Sequence, residues 1–263
     1  MVGGIPNLYQ FPEGQIVAFA LVLLRVIAFF VAWPVFGTAV VPVHVKVLLS
    51  VAVSMMMFPT LKFQNPELIK ISEEIVTFAA REVALGLVLG FMMRMFFFAV
   101  SISGEIISVS TGLSSAQLFN PAMGGTSTVV EQFQLVLATL FFLSINGHHL
   151  FITGLASSFT VLPVTQMGFN YKAFSGFAVL GQQTFLMGIK IAAPVMIAVL
   201  LANLTMGVLG RAVPQINVLA TSLPITILVG LGVLFVTLPL VIFEMNGLLE
   251  LMAEQFFQIM KVL

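Results

Sequence analysis

The chain has 263 residues, is 60% hydrophobic and only 8% charged, and has a mean hydropathy of +1.15. A single soluble core of this length cannot hide that much apolar surface, so the composition points to an integral membrane protein. Ten cations balance ten anions, all of the anions are Glu, and there is no Cys; this argues against a nucleic-acid partner, aspartyl dyads, thiol nucleophiles, disulfides and Cys-ligated metal.

The N-terminal lead carries Gly3, Gly4, Pro6 and Pro12, and Met1 to Gln15 holds no Lys or Arg. A positively charged n-region is therefore missing, and insertion through the first apolar segment is expected in place of a cleaved signal. From Ile16 to Phe36 only Arg25 is charged, and about twenty such residues at 1.5 Å per residue cross a hydrocarbon core. After Val41-Pro42, a second apolar run, Val47 to Phe58, is short for a crossing and stops at Pro59. Lys62 to Glu74 is the most charged stretch and reads as a water-exposed loop.

The third segment, Ile75 to about Ile107, is longer than one crossing needs and carries Arg81, Glu82, Arg94 and Glu105. Arg94 and Glu105 lie eleven residues apart, close to the same helical face. Gly86-xxx-Gly90 and Gly104-xxx-Ser108-xxx-Gly112 are small-residue patterns that let another backbone approach.

The central stretch from Gly112 to Gly125 has no Lys, Arg or Glu, and none occurs between Glu105 and Glu131. Gly112, Asn120-Pro121 and Gly124-Gly125 break helix, while Leu113, Leu118, Phe119 and Met123 are too apolar for an ordinary water-facing loop. Two readings stay open here: an irregular segment lining a passage or buried in an assembly, or a short loop tucked against the chain's own helices.

Val129 to Ser144 resumes the apolar pattern, with Asn146-Gly147-His148-His149 as an expected interruption before Leu150 to Phe159. The fifth segment, Phe177 to Val208, contains Lys190 and Pro194. A polar bend, Gly210 to Asn217, holds Arg211, Pro214 and Gln215, and the sixth segment, Val218 to Phe243, is expected to break at Pro224 and Pro239. The tail, Asn246 to Leu263, is amphipathic, suited to a lipid surface or a partner helix.

Arg25, Glu82, Arg94 and Lys190 sit inside apolar segments. At roughly 2.5–3.5 kcal/mol each, lipid exposure of all four costs on the order of 10–14 kcal/mol, so they are expected to face protein or water. With Glu105 they form a set of candidate subunit-contact charges. Short-loop cations give no orientation: His44, Lys46 and Arg211 oppose Lys62, Lys70, Lys172 and Lys261. The prolines at 34, 59, 194, 224 and 239 suggest broken helices within a larger assembly.

Enzymatic readings find little support. His148 and His149 are adjacent, so on a helix they diverge by about 100° and cannot ligate one metal together. No G-x-S-x-G elbow, H-E-x-x-H motif or phosphate-binding Gly-Lys-Ser/Thr loop is present. A small-molecule secondary transporter of the inner membrane is the alternative class, since it too uses broken helices and buried charge, but no paired halves with matching interruptions occur.

Several motifs taken together carry a resemblance: Gly112-Leu113-Ser114 through Asn120-Pro121, Leu143-Ser144-Ile145-Asn146-Gly147-His148-His149-Leu150, Asn203-Leu204-Thr205-Met206-Gly207, Arg211 to Asn217 and Leu223-Pro224. They resemble the FliR/SctT family of type III export-gate subunits, with Leu24-Arg25-Val26, Pro34, Val41-Pro42 and Val45-Lys46 extending the likeness towards the N-terminus.

The resemblance implies an all-α fold of membrane-associated helical hairpins with broken helices, ordered within a hetero-oligomer. Residues 1–175 would form a FliP-like part, and 176–263 a FliQ-like hairpin with an amphipathic C-terminal helix, in a single export-gate domain. It further implies a non-enzymatic subunit of the flagellar gate at the basal body in the bacterial inner membrane. Its partners would be FliP, FliQ and FlhB-like subunits, membrane lipid and unfolded secreted substrates, with no cofactor, metal or nucleic acid. The family's plug loop falls on Gly112 to Gly125, and the hairpin bend on Arg211, Pro214 and Gln215.

Overall fold

A computed structural model of the chain describes residues 13–34, 41–61, 75–114, 128–164, 173–213, 215 and 217–262. Among the described residues there is no strand. The helices are α1 (Glu13–Ala32), α2 (Val43–Met57) with a 3-10 turn at Phe58–Thr60, α3 (Ile75–Thr111), α4 (Val129–Ser144), α5 (Gly147–Val161), α6 (Ala173–Ala212), α7 (Val218–Val236) and α8 (Leu238–Val262).

Among the described residues four stretches are long and apolar enough to cross a membrane: Gly14–Ala32, Val43–Thr60, Ile75–Thr111 and Ser175–Ala212. Two further pairs qualify as bent spans: α4 with α5, at 69°, and Ala220–Val236 with Leu238–Lys261, at 61°. The first elbow has a local cause. Asn146 adopts φ +56°, a left-handed conformation that Asn tolerates better than most residues and that ends a helix. Gly147 completes the corner, since a methyl group there would lie 2.6 Å from the Phe142 ring.

Three sequence expectations change. Pro194 and Pro224 lie inside continuous helices, although each removes an amide donor; neighbouring helices can satisfy the freed carbonyl in an apolar setting. The break in the sixth segment is instead at Thr237, so Pro239 sits in the first turn of α8, where its missing N–H is not needed. His148 and His149 belong to the first turn of α5, not to an interruption.

The chain divides into two compact units, one of Met1–Arg94, His149–Phe174 and Phe256–Leu263, the other of Met95–His148 and Ser175–Gln255. In the first unit, α1 buries Ala18, Leu21, Val22, Val26, Phe29, Phe30 and Trp33. The N-terminal half of α3 crosses α1 at Gly86 and Gly90: added methyl groups would meet the Arg25 carbonyl oxygen at 2.3 Å and the Phe29 carbonyl oxygen at 2.7 Å. Only hydrogen at these two positions allows that approach. The other end of the unit closes where Phe256 packs edge-on to Phe151 and over Gly154.

α2 reads inside out. Its buried residues are Ser50, Ser54 and Met57, while Val43, Leu48, Met55 and Met56 face outward. The serine hydroxyls donate to their own helix, Ser50 to the Lys46 carbonyl and Ser54 to the Ser50 carbonyl. Their burial therefore leaves no polar atom stranded, and the apolar exterior suits lipid or protein more than water.

In the second unit, the C-terminal part of α3 and α4 form an antiparallel hairpin. Phe96 and Phe97 meet Phe142 at one end, Ser103 meets Gln134 midway, and Gly104 backs directly on Glu131. Ile107, Val130, Ala192, Val195, Val199 and Leu234 form a core cluster drawn from α3, α4, α6 and α7. Gly188 permits the close crossing of α6, where a methyl group would stand 2.9 Å from the Ala99 carbonyl oxygen. Along the part of α8 in this unit the buried residues Val241, Met245, Leu248, Leu249 and Met252 recur at helical spacing, and Phe256, Ile259 and Met260 continue the stripe within the first unit. Its amphipathic stripe is therefore covered by this chain, which replaces the expectation of a free lipid-facing or partner-facing tail.

Candidate functional site

The tip of the α3–α4 hairpin carries the central loop. Of the expected plug residues, Gly112 and Leu113 are described; Leu118, Phe119, Asn120, Pro121, Met123, Gly124 and Gly125 lie outside the described residues.

The chain leaves α3 through Gly112, whose φ of +84° is a conformation L side chains resist. Its amide donates to the Val109 carbonyl at 3.2 Å, and the Ser114 amide donates to the Ser108 carbonyl at 3.3 Å. Thr111 is fully buried, and its carbonyl accepts from the Thr226 hydroxyl of α7 at 3.1 Å. This satisfies one of the carbonyls that a helix end leaves without an internal donor. Gly230 lets α7 approach so closely that a methyl group there would meet the Thr111 methyl at 2.2 Å.

The chain re-enters helix at Thr128. Its hydroxyl accepts from the Glu131 amide at 3.3 Å, and its own amide donates to Glu131 Oε2 at 3.2 Å, a reciprocal capping box. The second carboxylate oxygen of Glu131 accepts a short hydrogen bond from the Ser101 hydroxyl on α3. One Glu therefore closes the helix terminus and ties it across the hairpin. The sequence reading missed this cap, although Thr-x-x-Glu at 128–131 is a capping signature that could have found it; Ser101 and Thr226 carry no signal of their own.

Behind the tip, the hairpin seam is polar and buried. The Ser103 hydroxyl donates to Gln134 Oε1 at 2.6 Å. Gln134 Nε2 and Ser108 Oγ are buried with no hydrogen-bond partner among the described residues. Each such group costs about 1–3 kcal/mol, so the seam holds polar capacity that packing alone does not require.

The candidate charges separate into two kinds. Arg25 and Glu82 are fully buried in the first unit and meet each other: Arg25 Nε donates to Glu82 Oε2 at 2.5 Å and Nη2 to Oε1 at 2.9 Å. Arg25 also donates to the Ser158 hydroxyl at 3.1 Å and the Leu162 carbonyl at 2.9 Å, and lies 4.2 Å from the centre of the Phe159 ring. Arg81 donates to the Pro163 carbonyl at 3.1 Å. Two guanidinium groups thus take up carbonyls at the end of α5, where the helix dipole favours positive charge.

Arg94, Glu105 and Lys190 are exposed on this chain and make no ion pair or hydrogen bond among the described residues. At the α6–α7 bend, Arg211 and Gln215 are exposed, and Pro214 lies outside the described residues. Asn217 caps α7 by accepting from the Ala220 amide at 3.3 Å. Among the described residues no group of His or Glu has metal-binding geometry.

The arrangement is a clamp on both ends of the hairpin-tip loop, flanked by apolar helix surfaces. The family described as bacterial export proteins, family 1, matches residues 16–252. A flagellar biosynthetic protein FliR of Aquifex aeolicus is 32% identical over 237 residues, covering 89% of this chain and 90% of its own. The protein of the same name from Bacillus subtilis is 32% identical over 240 residues, 90% of this chain and 92% of the relative. That of Escherichia coli K12 is 31% identical over 235 residues, 89% and 85% respectively. Matched through nearly all of its apolar helices and through the hairpin that bears the clamped loop, the chain belongs to the bacterial export proteins, family 1.

Proposed function

We propose that the chain is a core subunit of the flagellar type III export gate in the bacterial inner membrane, forming part of the channel for unfolded polypeptides. The segment from Gly112 to Gly125 is its plug: an apolar, glycine-flexed flap that seals the closed pore against ions and moves aside for substrate. The observation that carries this reading is the anchoring of the loop's two ends. Thr111 is held by Thr226 on one side, and Thr128 and Glu131 are held to Ser101 on the other. Rigid ends and a helix-breaking, charge-free middle are what a flap requires.

The relatives named flagellar biosynthetic protein FliR support the flagellar setting. The partners in this reading are FliP, FliQ and FlhB-like subunits, with residues 1–175 as the FliP-like part and 176–263 as the FliQ-like hairpin. Arg94, Glu105 and Lys190 meet neighbouring subunits, and Arg211, Pro214 and Gln215 form the hairpin bend. Arg25 and Glu82 contribute from inside, by fixing the helices that carry those surfaces. The mechanism is passive and needs no cofactor.

Deleting Gly112 to Gly125 tests the plug. The assembled gate should then leak small ions, read as loss of a potassium gradient in vesicles. A tight membrane with normal export in the deletion strain refutes the plug role.

A further inference from the structure

Within the first unit, three ionised side chains meet at the end of α5: the cations Arg25 and Arg81, and Glu82 as the one carboxylate. The side chains of Arg25 and Glu82 are 0% exposed and that of Arg81 10%, so two cations face one anion with almost no water to screen the excess. The C-terminal dipole of α5 offsets about half a charge. The remainder is uncompensated among the described residues, and a buried charge without a counter-ion is costly.

The orientation of Arg81 shows where an anion would be held. Its Nη1 is committed inward: it donates to the Pro163 carbonyl at 3.1 Å and lies 3.7 Å from Glu82 Oε1, the oxygen that already accepts from Arg25 Nη2 at 2.9 Å. Its Nε is buried with no acceptor, and Arg81 makes no other hydrogen bond among the described residues. The Nε–Nη2 edge is therefore the open fork of this guanidinium, two parallel N–H donors that one oxyanion accepts bidentately.

Position selects the oxyanion. Arg81 stands six residues after Ile75, about 9 Å along α3, within a stretch apolar enough to cross a membrane. The most charged stretch of the chain, Lys62 to Glu74, immediately precedes Ile75, which sets this end of α3 at the water side of the hydrocarbon. Helical side chains lean toward the N-terminus of their helix, so Arg81 leans toward that boundary. The headgroup layer there is about 5–7 Å thick, and long cationic side chains extend into it. Val76, Thr77 and Ala80 on the preceding turns are exposed, which leaves the approach from lipid open.

We infer that Arg81 binds the phosphate of an anionic phospholipid on its Nε–Nη2 edge, and that this lipid completes the Arg25–Glu82 cluster. A singly negative headgroup matches the excess charge, whereas a zwitterionic one brings its own cation. Because the cluster ties α1 and α3 to the end of α5, the lipid tightens the packing of all three. The inference goes beyond the gate reading and does not depend on it.

The test uses the full-length chain recovered with its complex from native membranes. It is reconstituted into vesicles of phosphatidylcholine alone, or of phosphatidylcholine and phosphatidylglycerol in equal parts, and hydrogen exchange is followed at residues 75–82 and 158–162. Phosphatidylglycerol should slow exchange there about tenfold. Arg81→Gln should abolish the difference between the two vesicles, and Arg81→Lys, which keeps the charge and loses the fork, should retain only part of it. Arg94→Gln changes the other exposed guanidinium of α3 and should leave the difference intact. Inorganic phosphate added to the phosphatidylcholine vesicles separates a lipid headgroup from a free anion and should give no protection.

Equal exchange of the wild-type complex in the two vesicles, the result if a carboxylate fills the fork, overturns the inference, and this comparison stands even where a variant fails to assemble. Protection that persists in Arg81→Gln, or that inorganic phosphate reproduces, overturns it as well.

Discussion

Substituting Glu82 by Gln removes one charge from a fully buried ion pair. Both Arg25 and Glu82 have 0% side-chain exposure, so the guanidinium left behind keeps only the Ser158 hydroxyl, the Leu162 carbonyl, the new amide oxygen and the Phe159 ring. Breaking a buried pair in this way costs about 3–5 kcal/mol, because the remaining charge is desolvated without compensation. At 1.4 kcal/mol per decade, that is roughly two to three and a half powers of ten in the folding equilibrium.

The pair spans α1 and α3, and Arg25 reaches α5 as well, so the loss should appear as loosening of all three segments together. Denaturant unfolding in a mild detergent, followed by proteolysis of the first unit, measures it. Arg25→Met should cost a similar amount, and the double variant Arg25→Met/Glu82→Leu should recover most of it, since packed apolar side chains can replace a buried pair at little net cost. Single variants each within 1 kcal/mol of wild type, or a double variant equal to the sum of the singles, would refute the reasoning.

Gly86→Ala should destabilise the first unit by about 1–3 kcal/mol in the same unfolding assay, because the new methyl lies 2.3 Å from a backbone oxygen that can move only with α1. Gly181→Ala, where nothing lies within 4 Å, is the control and should be neutral or slightly stabilising. Glu131→Ala removes both the capping box and the Ser101 contact. It should cost about 1–2 kcal/mol and speed protease cleavage next to Thr128 in the assembled complex. Gly112→Ala forces a methyl into φ +84°, costing about 1–2 kcal/mol, so the hairpin tip should become more accessible to hydrogen exchange, whereas Gly207→Ala should not change it.

Much of the local structure was legible. Apolar runs located the helices to within a few residues: Val129–Ser144 was read at its observed ends, and Ile75 to about Ile107 ran four residues further. Gly112 marked a helix stop, whereas the caps at Thr128 and Asn217 emerged only with the structure. The small-residue patterns around Gly86 and Gly104 identified surfaces of close approach. Prolines misled at 194 and 224 because a proline's cost depends on what else can satisfy the freed carbonyl and fill the space, and neither is written in its local neighbours.

What the sequence determined by itself was periodic and local: which stretches are helical, how long and apolar they are, where the backbone must turn, and which charges lie where lipid would penalise them. Only the tertiary structure decided which charges find a partner. Arg25 and Glu82 are 57 residues apart, and they meet because Gly86 and Gly90 let α3 lie directly on α1. Glu105 and Lys190, equally apolar in their surroundings, stay exposed on this chain. Helical periodicity is set by forces acting within a few residues, whereas pairing depends on which faces of distant helices pack together.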